Sequence, residues 1–406
     1  MNNCLACGSE TMNLLDLGKQ PLANNLISKK SDNFKTYPLG LVFCPTCSHS
    51  QLNYFVDPKI LFSNYFYMSS TSELMKGYFS EFAKTIKDNF GSEALIIDIA
   101  SNDGAFLDAL KEEGMSPLGI DPAKNLVSFS REKGHEVICD FFPSQKLSER
   151  RFDLITGLNV FAHNPSPRFF LNEAKKILKK KGLIFIQVSQ SEMLNTGQFD
   201  TIYHEHFSFF TVNSMKVLCE KCGLKLLSWQ IVSVHDKSTI FQIGFKESKA
   251  VNLHFPCFKS SPEKILFSSE ISLGDINSFY LNFKKIALNR MEEVANICSK
   301  YRNLGFDIVL AGVAAKALTF FHAASYHVDY FLDETPLKIG KYIPGTGKKI
   351  RKFEEINLSK KALVVVGAWN GFEEIKRKLD HISHQKLIYL KYFPDLELIT
   401  NDYDKS

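Results

Sequence analysis

The sequence predicts an α/β protein in three parts: a small cysteine-bearing N-terminal module, a central doubly wound domain and a smaller α/β domain at the C-terminus. Three observations predict it. Short apolar runs alternate with helical patterns from residue 94 to residue 188, which is typical of a doubly wound, mainly parallel sheet. The same alternation restarts near residue 307, after a polar break at residues 246–263. The first 60 residues instead show short strand and turn patterns around two cysteine pairs. We set the three parts at residues 1–62, 63–250 and 251–406.

The two cysteine pairs predict a metal site. Cys4 and Cys7 form one Cys-x-x-Cys pair, and Cys44 and Cys47 form a second after a spacer of 36 residues. Each pair can present two thiolates from one tight turn, and two such turns complete a tetrahedral zinc site. Because protein would then fill all four positions, we expect a structural zinc. Unligated core cysteines or a redox pair are the alternatives, and the remaining cysteines are treated as scattered, reduced thiols.

The elements after this module follow in order along the chain. An apolar stripe at helical spacing predicts an amphipathic helix over about residues 73–89; the stripe is Leu74, Tyr78, Phe82 and Ile86. Five strands should then end at Ala100, Asp121, Asp140, Val160 and Val188. Two close apolar runs after Gly223 predict an antiparallel pair that closes the sheet. In the C-terminal part, a long helix over about residues 276–301 should precede four further strands.

A polar turn, residues 97–107 (IDIASNDGAFL), joins the first of these strands to a helix. Such a turn lets main-chain N–H groups and a helix N-terminus approach a ligand closely. The next strand ends at Asp121, placed to accept hydrogen bonds from ribose hydroxyls, and the one after it ends at Asp140, where an adenine amine would lie. Three strand-end signals in succession predict binding of a nucleotide-type cofactor. In the alternative, both aspartates are only helix caps.

Four titratable residues stand in a row between apolar flanks: Tyr203, His204, Glu205 and His206. This pattern fits a catalytic loop better than a core strand. A metal site or a role confined to the surface or core is the alternative, although no third metal ligand is obvious nearby.

Composition limits the partners and the compartment. The formal net charge is only +5 over 406 residues, and cations are interspersed with anions, so we expect no nucleic-acid partner. We expect the densest basic run, residues 175–181, to be a solvated helix end. No apolar run approaches about 20 residues, and no signal-peptide pattern opens the chain. We therefore expect a cytoplasmic protein away from membranes, as a monomer or weak homo-oligomer.

Together these motifs resemble the sugar C-methyltransferase family, which methylates carbon 3 of nucleotide-linked 4-keto-deoxysugars. The resemblance covers nearly the whole chain: the cysteine pairs with LDLGKQPLANNL and CSHSQL; YFYMSSTS, ASNDGAFL, GIDPA, NVFAH and YHEHFSFF; and AGVAAKALTFF with LDETPLKIGKYIPGTGKKI. It implies a zinc-binding N-terminal domain and a central Rossmann-like class I methyltransferase domain that uses S-adenosylmethionine. It also implies a C-terminal Rossmann-like domain that helps to bind the nucleotide-sugar substrate.

The resemblance also implies roles for individual residues. Those expected along the cofactor are Tyr67, Ala100, Asn102, Asp103, Gly104, Asp121, Pro122, Asp140, Phe141 and Asn159. His206 matches the family's general base, with Tyr203 as a phenol donor and Glu205 as the carboxylate that orients the imidazole. His163 would lie beside the substrate.

The chain departs from the family pattern at three places. Ala100 stands where the family usually has Gly, and residues 235–238 (HDKS) stand where it commonly has His-Gly-Gly-Ser. An Asn that the family carries near Leu318 or Thr319 is absent. The last two places lie where the sugar nucleotide should be held.

Other functions fit parts of the pattern. An O- or N-methyltransferase acting on a sugar or phosphosugar would need no acidic C–H bond in its substrate. A zinc ribbon that guides a methyltransferase to RNA would need a basic N-terminal module, whereas acidic and basic side chains nearly balance there. The intact YHEH run argues against an inactive paralogue.

Overall fold

The structure, a computed structural model, describes residues 3–62, 68–71, 73–189, 193–232, 234, 237–253, 273–355, 361–383 and 387–400. The N-terminal elements are β1 (Met12–Pro21), β2 (Thr36–Phe43), β3 (Ser50–Leu52), α1 (Pro58–Phe62) and α2 (Glu73–Phe90). The first three are antiparallel strands of one small sheet. Both Cys-x-x-Cys turns lie beside its strands.

Helix α2 confirms the predicted amphipathic helix, with one difference in its buried face. Tyr78, Phe82 and Ile86 are buried as expected, but Leu74 is 59% exposed and Met75 is buried instead. Positions 75, 79, 82 and 86 follow the 3.6-residue period of a helix more closely than positions 74, 78, 82 and 86 do.

The central domain confirms the predicted doubly wound fold. Its elements in chain order are β4 (Ile96–Ile99), α3 (Ala105–Glu112), β5 (Leu118–Asp121), α4 (Lys124–Glu132), β6 (Glu136–Cys139), β7 (Phe152–Leu158), α5 (Pro167–Ile177), β8 (Leu178–Val188), α6 (Met193–Thr196), β9 (Ser208–Phe209), α7 (Val212–Lys221), β10 (Lys225–Val232) and β11 (Ser238–Gly244). Seven of these strands form one sheet in the order β10-β11-β8-β7-β4-β5-β6. Strands β4 to β8 are parallel, whereas β11 and β10 run antiparallel and close the sheet as predicted.

Strand β9 does not belong to this sheet. It pairs with β3, so that the N-terminal sheet has the order β1-β2-β3-β9. Two residues directly after the YHEH run therefore complete the sheet of the cysteine-bearing module. No local sequence pattern indicated this pairing.

The C-terminal part contains a second mostly parallel sheet. Its elements are α8 (Leu273–Asn303), β12 (Asp307–Ala311), α9 (Ala315–Ala324), β13 (Tyr330–Leu332), β14 (Ile350–Arg351), β15 (Ala362–Val366), α10 (Phe372–Ile382), β16 (Leu387–Lys391) and β17 (Glu397–Thr400). The strand order is β14-β13-β12-β15-β16-β17, with only β17 antiparallel. The four predicted strands are present, and the short edge strands β14 and β17 were missed.

One hydrophobic core joins the two ends of the chain. Leu14, Leu41 and Phe43 of the N-terminal sheet belong to the same buried cluster as Tyr280 and Phe283 of α8. The rings of Phe43 and Tyr280 stack with centroids 4.4 Å apart. None of the described helices is both long and apolar enough to cross a bilayer.

The basic run at residues 175–181 makes local contacts. Lys175 donates to the carbonyl oxygen of Cys222, and Lys176 and Lys179 pair with Glu173 and Asp153. These lysines thus make hydrogen bonds and ion pairs with nearby protein groups, at the end of α5 and the start of β8.

The close approach of β15 to α9 predicts a stability effect. A Cβ on Gly367 would lie 2.5 Å from the Cβ of Ala317 and 2.5 Å from the carbonyl oxygen of Gly312. Because neither atom can move without the backbone, Gly367→Ala should lower the free energy of unfolding by about 1–3 kcal/mol, measured by urea denaturation. Gly371→Ala is the matched control, since a Cβ there meets nothing within 4 Å. Equal midpoints for the two variants would contradict the prediction.

Candidate active site and metal centre

The four N-terminal cysteines converge on one point. Their Sγ atoms all lie within 4.8 Å of one another, with Cys4 and Cys47 at 3.6 Å and Cys7 and Cys44 at 3.4 Å. All except Cys7 are buried. Each pair sits in a tight turn closed by a residue with positive φ, Gly8 in the first and Ser48 in the second. We call residues 44–48 the second knuckle.

This donor set fits zinc. The crowded thiols raise the pKa of Cys4 to about 12 and also raise that of Cys47, whereas hydrogen bonds from its neighbours lower the pKa of Cys44. The cluster therefore resists carrying four negative charges by itself. A divalent cation removes this penalty, and four sulfur ligands favour a closed tetrahedral zinc site.

The remaining cysteines are not all scattered, contrary to expectation. Cys219 and Cys222 form a third Cys-x-x-Cys, at the end of α7. Both are buried, and burial raises the pKa of each thiol. No metal-ligand group that the described part of the chain contains includes this pair.

The turn after β4 is shaped for a ligand. Ala100, Asn102 and Gly104 have φ values of 60°, 54° and 84°, an alternation that turns successive N–H groups into one concavity. Holding Ala100 left-handed costs about 1–2 kcal/mol. Only Gly fits at position 104, because a Cβ there would lie 2.5 Å from Ser130 Oγ. Ala100 therefore keeps the backbone shape that the family builds with Gly.

Two buried polar atoms point to the ligand's place. Ser101 Oγ and Asp103 Oδ1 have no hydrogen-bond partner among the described residues, although both residues are buried. Such atoms are costly unless a ligand or water satisfies them.

Asp121 lies at the end of β5, beside this turn. Its carboxylate accepts hydrogen bonds from the backbone N–H groups of Asn102 at 3.0 Å and Ala123 at 2.8 Å. Burial raises its pKa, and the two donors counteract the rise. Asp121 thus braces the turn and retains lone pairs for hydroxyl donors.

Asp140 lies at the adjacent strand end and closes its own turn. Its carboxylate accepts hydrogen bonds from the N–H of Phe141 and the hydroxyl of Ser144. Its own N–H donates to the carbonyl oxygen of Asp121 at 3.1 Å. Pro122 and Phe141 are half-buried at the same edge of the sheet. The sheet order thus brings the three predicted strand ends side by side.

One neighbouring segment, residues 68–71 of the YFYMSSTS stretch, supports this edge. The N–H groups of Ser69 and Ser70 donate to the side chains of Asn102 and Asp103, which places residues 68–71 on the turn. Tyr67, which was expected to close over the cofactor, lies outside the described residues, as do His235 and Asp236. Positions 318 and 319 are buried in α9.

Asn159 lies at the end of β7, again with a positive φ, 58°. Its side-chain oxygen accepts a hydrogen bond from Gln187 at 3.3 Å, and Gln187 accepts one from the hydroxyl of Tyr78 at 2.5 Å. Gln187 and Tyr78 are both fully buried. A buried polar chain thus fixes Asn159 at the carboxyl edge of the sheet.

The geometry around His206 fixes its tautomer. Its Nδ1 lies 2.8 Å from the carbonyl oxygen of Thr201, which can only accept, so Nδ1 carries the hydrogen. The lone pair is then on Nε2, which accepts a hydrogen bond from the hydroxyl of Tyr203 at 2.9 Å. His206 is 4% exposed. In its neutral form, this tautomer can take a proton at Nε2.

His163 lies against His206, with ring centroids 5.0 Å apart, and its other face stacks on Phe62 at 5.5 Å. Burial lowers the pKa of His163 to about 4. His163 is therefore neutral near pH 7 and does not oppose a positive charge that develops on His206.

Glu205 makes a different contact from the one expected. Its Oε1 accepts a hydrogen bond from Asn24 Nδ2 at 2.7 Å, so the contact described for it is with the N-terminal module. Thr201 supplies the orienting oxygen for His206 through its backbone, which no side-chain pattern could reveal. Asn24 lies in the LANNL stretch, where the sequence assigned it no role.

Three family models match the chain in succession. They are described as "Putative zinc binding domain" at residues 4–62, "Methyltransferase domain" at residues 72–228 and "C-methyltransferase C-terminal domain" at residues 266–394. The order agrees with that of the cysteine-bearing module, the central sheet and the C-terminal sheet.

Individual relatives cover parts of the chain. The C-methyltransferase NovU of Streptomyces niveus is 30% identical over 59% of this chain and 60% of its own length. The ubiquinone biosynthesis O-methyltransferase of Glaesserella parasuis is 29% identical over 22% of this chain and 43% of its own. The chain thus spans less than two thirds of either relative. A solved S-adenosylmethionine-dependent methyltransferase of Clostridium acetobutylicum aligns at 11% identity over 41% of this chain and 92% of its own, with a TM-score of 0.34.

We predict that the purified protein contains about one zinc per chain, held by the four N-terminal thiolates. Cys44→Ser should lower both the zinc content and the midpoint of thermal unfolding, because structural zinc contributes folding free energy. Metal analysis by mass spectrometry measures the first effect. Cys139→Ser, at a free half-buried thiol outside the cluster, should keep the wild-type zinc content. Zinc-free protein from a purification without chelator would refute the assignment.

Proposed function

We propose that this chain, a member of the sugar C-methyltransferase family, transfers a methyl group from S-adenosylmethionine to carbon 3 of a nucleotide-linked 4-keto-deoxysugar. The domain models and the C-methyltransferase relative support the family and the methyl transfer. The observation that carries the choice of carbon as acceptor is the geometry of His206. Methylation at carbon next to a ketone requires removal of a C–H proton, and a neutral His206 in this tautomer would carry its lone pair on Nε2.

The carboxyl edge of the central sheet would hold the cofactor. When bound, S-adenosylmethionine supplies an electrophilic methyl group on a positively charged sulfur. Asp121 would accept from the ribose hydroxyls while it keeps Asn102 in place. Asp103 Oδ1 and Ser101 Oγ, both buried without a partner, would gain one from the ligand. Asp140 and Phe141 stand at the next strand end, towards the adenine.

The side chains around His206 would carry the proton chemistry. Nε2 takes the proton from carbon 3, and the electron pair left behind is delocalised onto the ketone oxygen. The hydroxyl of Tyr203 lies at the same nitrogen and can turn its hydrogen to that oxygen as its charge grows. Because His163 is neutral, it adds no charge repulsion when His206 is protonated.

The nucleotide-sugar would lie between this loop and the C-terminal sheet. Trp369 follows β15 at the carboxyl edge of that sheet, and its Nε1 donates to Asp200 Oδ2 at 2.8 Å, next to Thr201. At the same edge, Lys338 donates to Asp333 and to the carbonyl oxygen of Val313. Ligands of open α/β sheets bind outside the carboxyl ends of the strands, and Trp369 there contacts Asp200, three residues before the YHEH run.

O-methylation is the second candidate. It is favoured by the partial match of the central domain to a ubiquinone O-methyltransferase. An oxygen acceptor needs no carbon acid, so hydrogen exchange next to a ketone separates the two functions.

We predict that Asp121→Ala weakens binding of S-adenosylhomocysteine by about 1.5–3 kcal/mol, the scale for charge-assisted hydrogen bonds. Isothermal titration calorimetry measures it. Asp153→Ala is the matched control, because Asp153 also accepts a backbone N–H but lies at the opposite end of the same sheet. Equal affinity of both variants and the wild type would leave Asp121 as a structural brace only.

We predict that His206→Ala lowers kcat on a 4-keto nucleotide-sugar by about 10²–10⁴-fold, the usual range for general-base catalysis. Affinity for S-adenosylhomocysteine should stay within twofold, because the cofactor residues lie on other elements. The loss should fall on kcat more than on binding, since proton removal belongs to the transition state.

A second measurement isolates the proton step. With S-adenosylhomocysteine in place of the methyl donor, the wild type should exchange the hydrogen on carbon 3 with deuterated water, and His206→Ala should not. Binding of 4-keto nucleotide-sugars without exchange that depends on His206 would overturn the base assignment. Turnover of a sugar lacking any ketone would support O-methylation instead.

A further inference from the structure

The loop that carries His206 is hydrogen-bonded to the N-terminal module through the two side chains that precede the base. His204 Nε2 donates to the carbonyl oxygen of Tyr37 at 3.3 Å, and Glu205 accepts from Asn24 at 2.7 Å. The ring of His206 contacts Tyr203, Thr201 and His163, and it also meets Phe209 of β9 edge-on with centroids 6.1 Å apart.

The contact with the N-terminal module continues through β9, the strand that follows the loop. The N–H of Leu52 donates to the carbonyl oxygen of Phe207 at 3.0 Å, and β9 then pairs with β3. The backbone that bears His206 therefore enters the N-terminal sheet within one residue of the base. A shift of β3 moves this backbone directly.

The last of these contacts are hydrogen bonds to the second knuckle itself. Ser48 Oγ lies 2.8 Å from Thr211 Oγ1, and Asn213 Nδ2 donates to the carbonyl oxygen of Cys47 at 3.2 Å. On its other side the knuckle contacts α8, because the hydroxyl of Tyr280 donates to the carbonyl oxygen of Ser48 at 2.9 Å. The second knuckle thus contacts the segment after the base loop, through Thr211 and Asn213, and helix α8, through Tyr280.

The cofactor turn is held by different groups. Asn102 and Asp103 accept from Ser69 and Ser70, and Asp121 accepts from the N–H of Asn102. None of these contacts involves the cysteine cluster. The two halves of the active site therefore rest on separate supports.

We propose that the second knuckle positions the general base, with Ser48, Thr211 and Asn213 as positioning residues. Zinc occupancy of the metal site then controls the rate of proton removal, whereas the affinity for the cofactor does not depend on it. The proposal rests on the proposed function for its catalytic reading. Its physical basis is that a displacement of about 1 Å in a reacting group can cost up to about 10²-fold in rate.

Ser48→Gly tests this connection. Glycine accepts the positive φ of 56° at this position, so the turn keeps its backbone while the Oγ link to Thr211 is lost. Tyr280→Phe is the matched control, because it removes the hydrogen bonds of the hydroxyl to Ser48 and Ser50 on the side of α8 and keeps the links to Thr211 and Asn213. Asn213→Ala is the second test variant if Ser48→Gly unfolds at room temperature.

Five readouts are taken on the full-length, zinc-loaded protein. We expect Ser48→Gly to lower kcat and carbon-3 hydrogen exchange by about tenfold, with affinity for S-adenosylhomocysteine within twofold of the wild type. Amide hydrogen exchange should speed up in peptides that cover residues 203–211 and stay unchanged in those that cover 100–110. Tyr280→Phe should lower only the midpoint of thermal unfolding. Zinc removal by a chelator should reproduce the amide-exchange pattern of Ser48→Gly.

The outcomes separate the two proposals. Wild-type kcat and amide exchange in both Ser48→Gly and Asn213→Ala would overturn the positioning role. Equal losses of kcat in Ser48→Gly and Tyr280→Phe would also overturn it, since they would show general loosening. If the wild type neither methylates nor exchanges any 4-keto nucleotide-sugar, the proposed function fails, and amide exchange at residues 203–211 still decides the positioning role.

Discussion

Four sulfur atoms within 4.8 Å of one another impose the constraint on which much of this structure depends. At an effective dielectric constant of about 20, two thiolates about 4 Å apart repel by about 4 kcal/mol, and the cluster contains several such pairs. Only a cation at the centre makes the fully ionised cluster stable. The same cluster joins the turn before β1 to the turn between β2 and β3, and β3 is the strand that β9 joins. A cation in the cysteine cluster, which takes no part in the proposed chemistry, thus helps to hold the segment that bears the proposed base, His206.

The two halves of the proposed active site, one for the cofactor and one for the base, differ in how they are built. The cofactor half lies on consecutive strand ends of one sheet, where Asp121 and Asp140 come from neighbouring strands. The base half is assembled from distant parts of the chain: Asn24 of the N-terminal module, His206 of the central domain and Trp369 of the C-terminal part. The first half needs only the central fold, whereas the second requires the other two parts to be docked.

The sequence could predict what depends on local patterns. Periods of 2 and 3.6 residues identified the main strands and helices, and ligand spacing alone indicated the cysteine site. It could not predict the pairing of β9 with β3, because a strand of two residues has no detectable period and its partner lies about 157 residues earlier in sequence. Nor could it reveal Thr201, whose contribution is a backbone carbonyl. Adjacency in sequence suggested that Glu205 orients His206, but the two residues lie in a turn closed by the His206 N–H and the carbonyl oxygen of Tyr203, and the contact described for Glu205 is with Asn24. The pair Cys219 and Cys222 shows that Cys-x-x-Cys spacing inside a helical pattern does not by itself make a knuckle.

The core shared by the two ends of the chain has a consequence for synthesis on the ribosome. The apolar face formed by Leu14, Leu41 and Phe43 is covered by Tyr280 and Phe283, which follow more than 200 residues later. At a translation rate of about 5–20 residues per second, Tyr280 and Phe283 are synthesised on the order of ten to fifty seconds after this face. During translation the nascent N-terminal module therefore exposes a hydrophobic surface that a chaperone could shield. Its early burial must come from the central domain, through the strand that follows the YHEH loop.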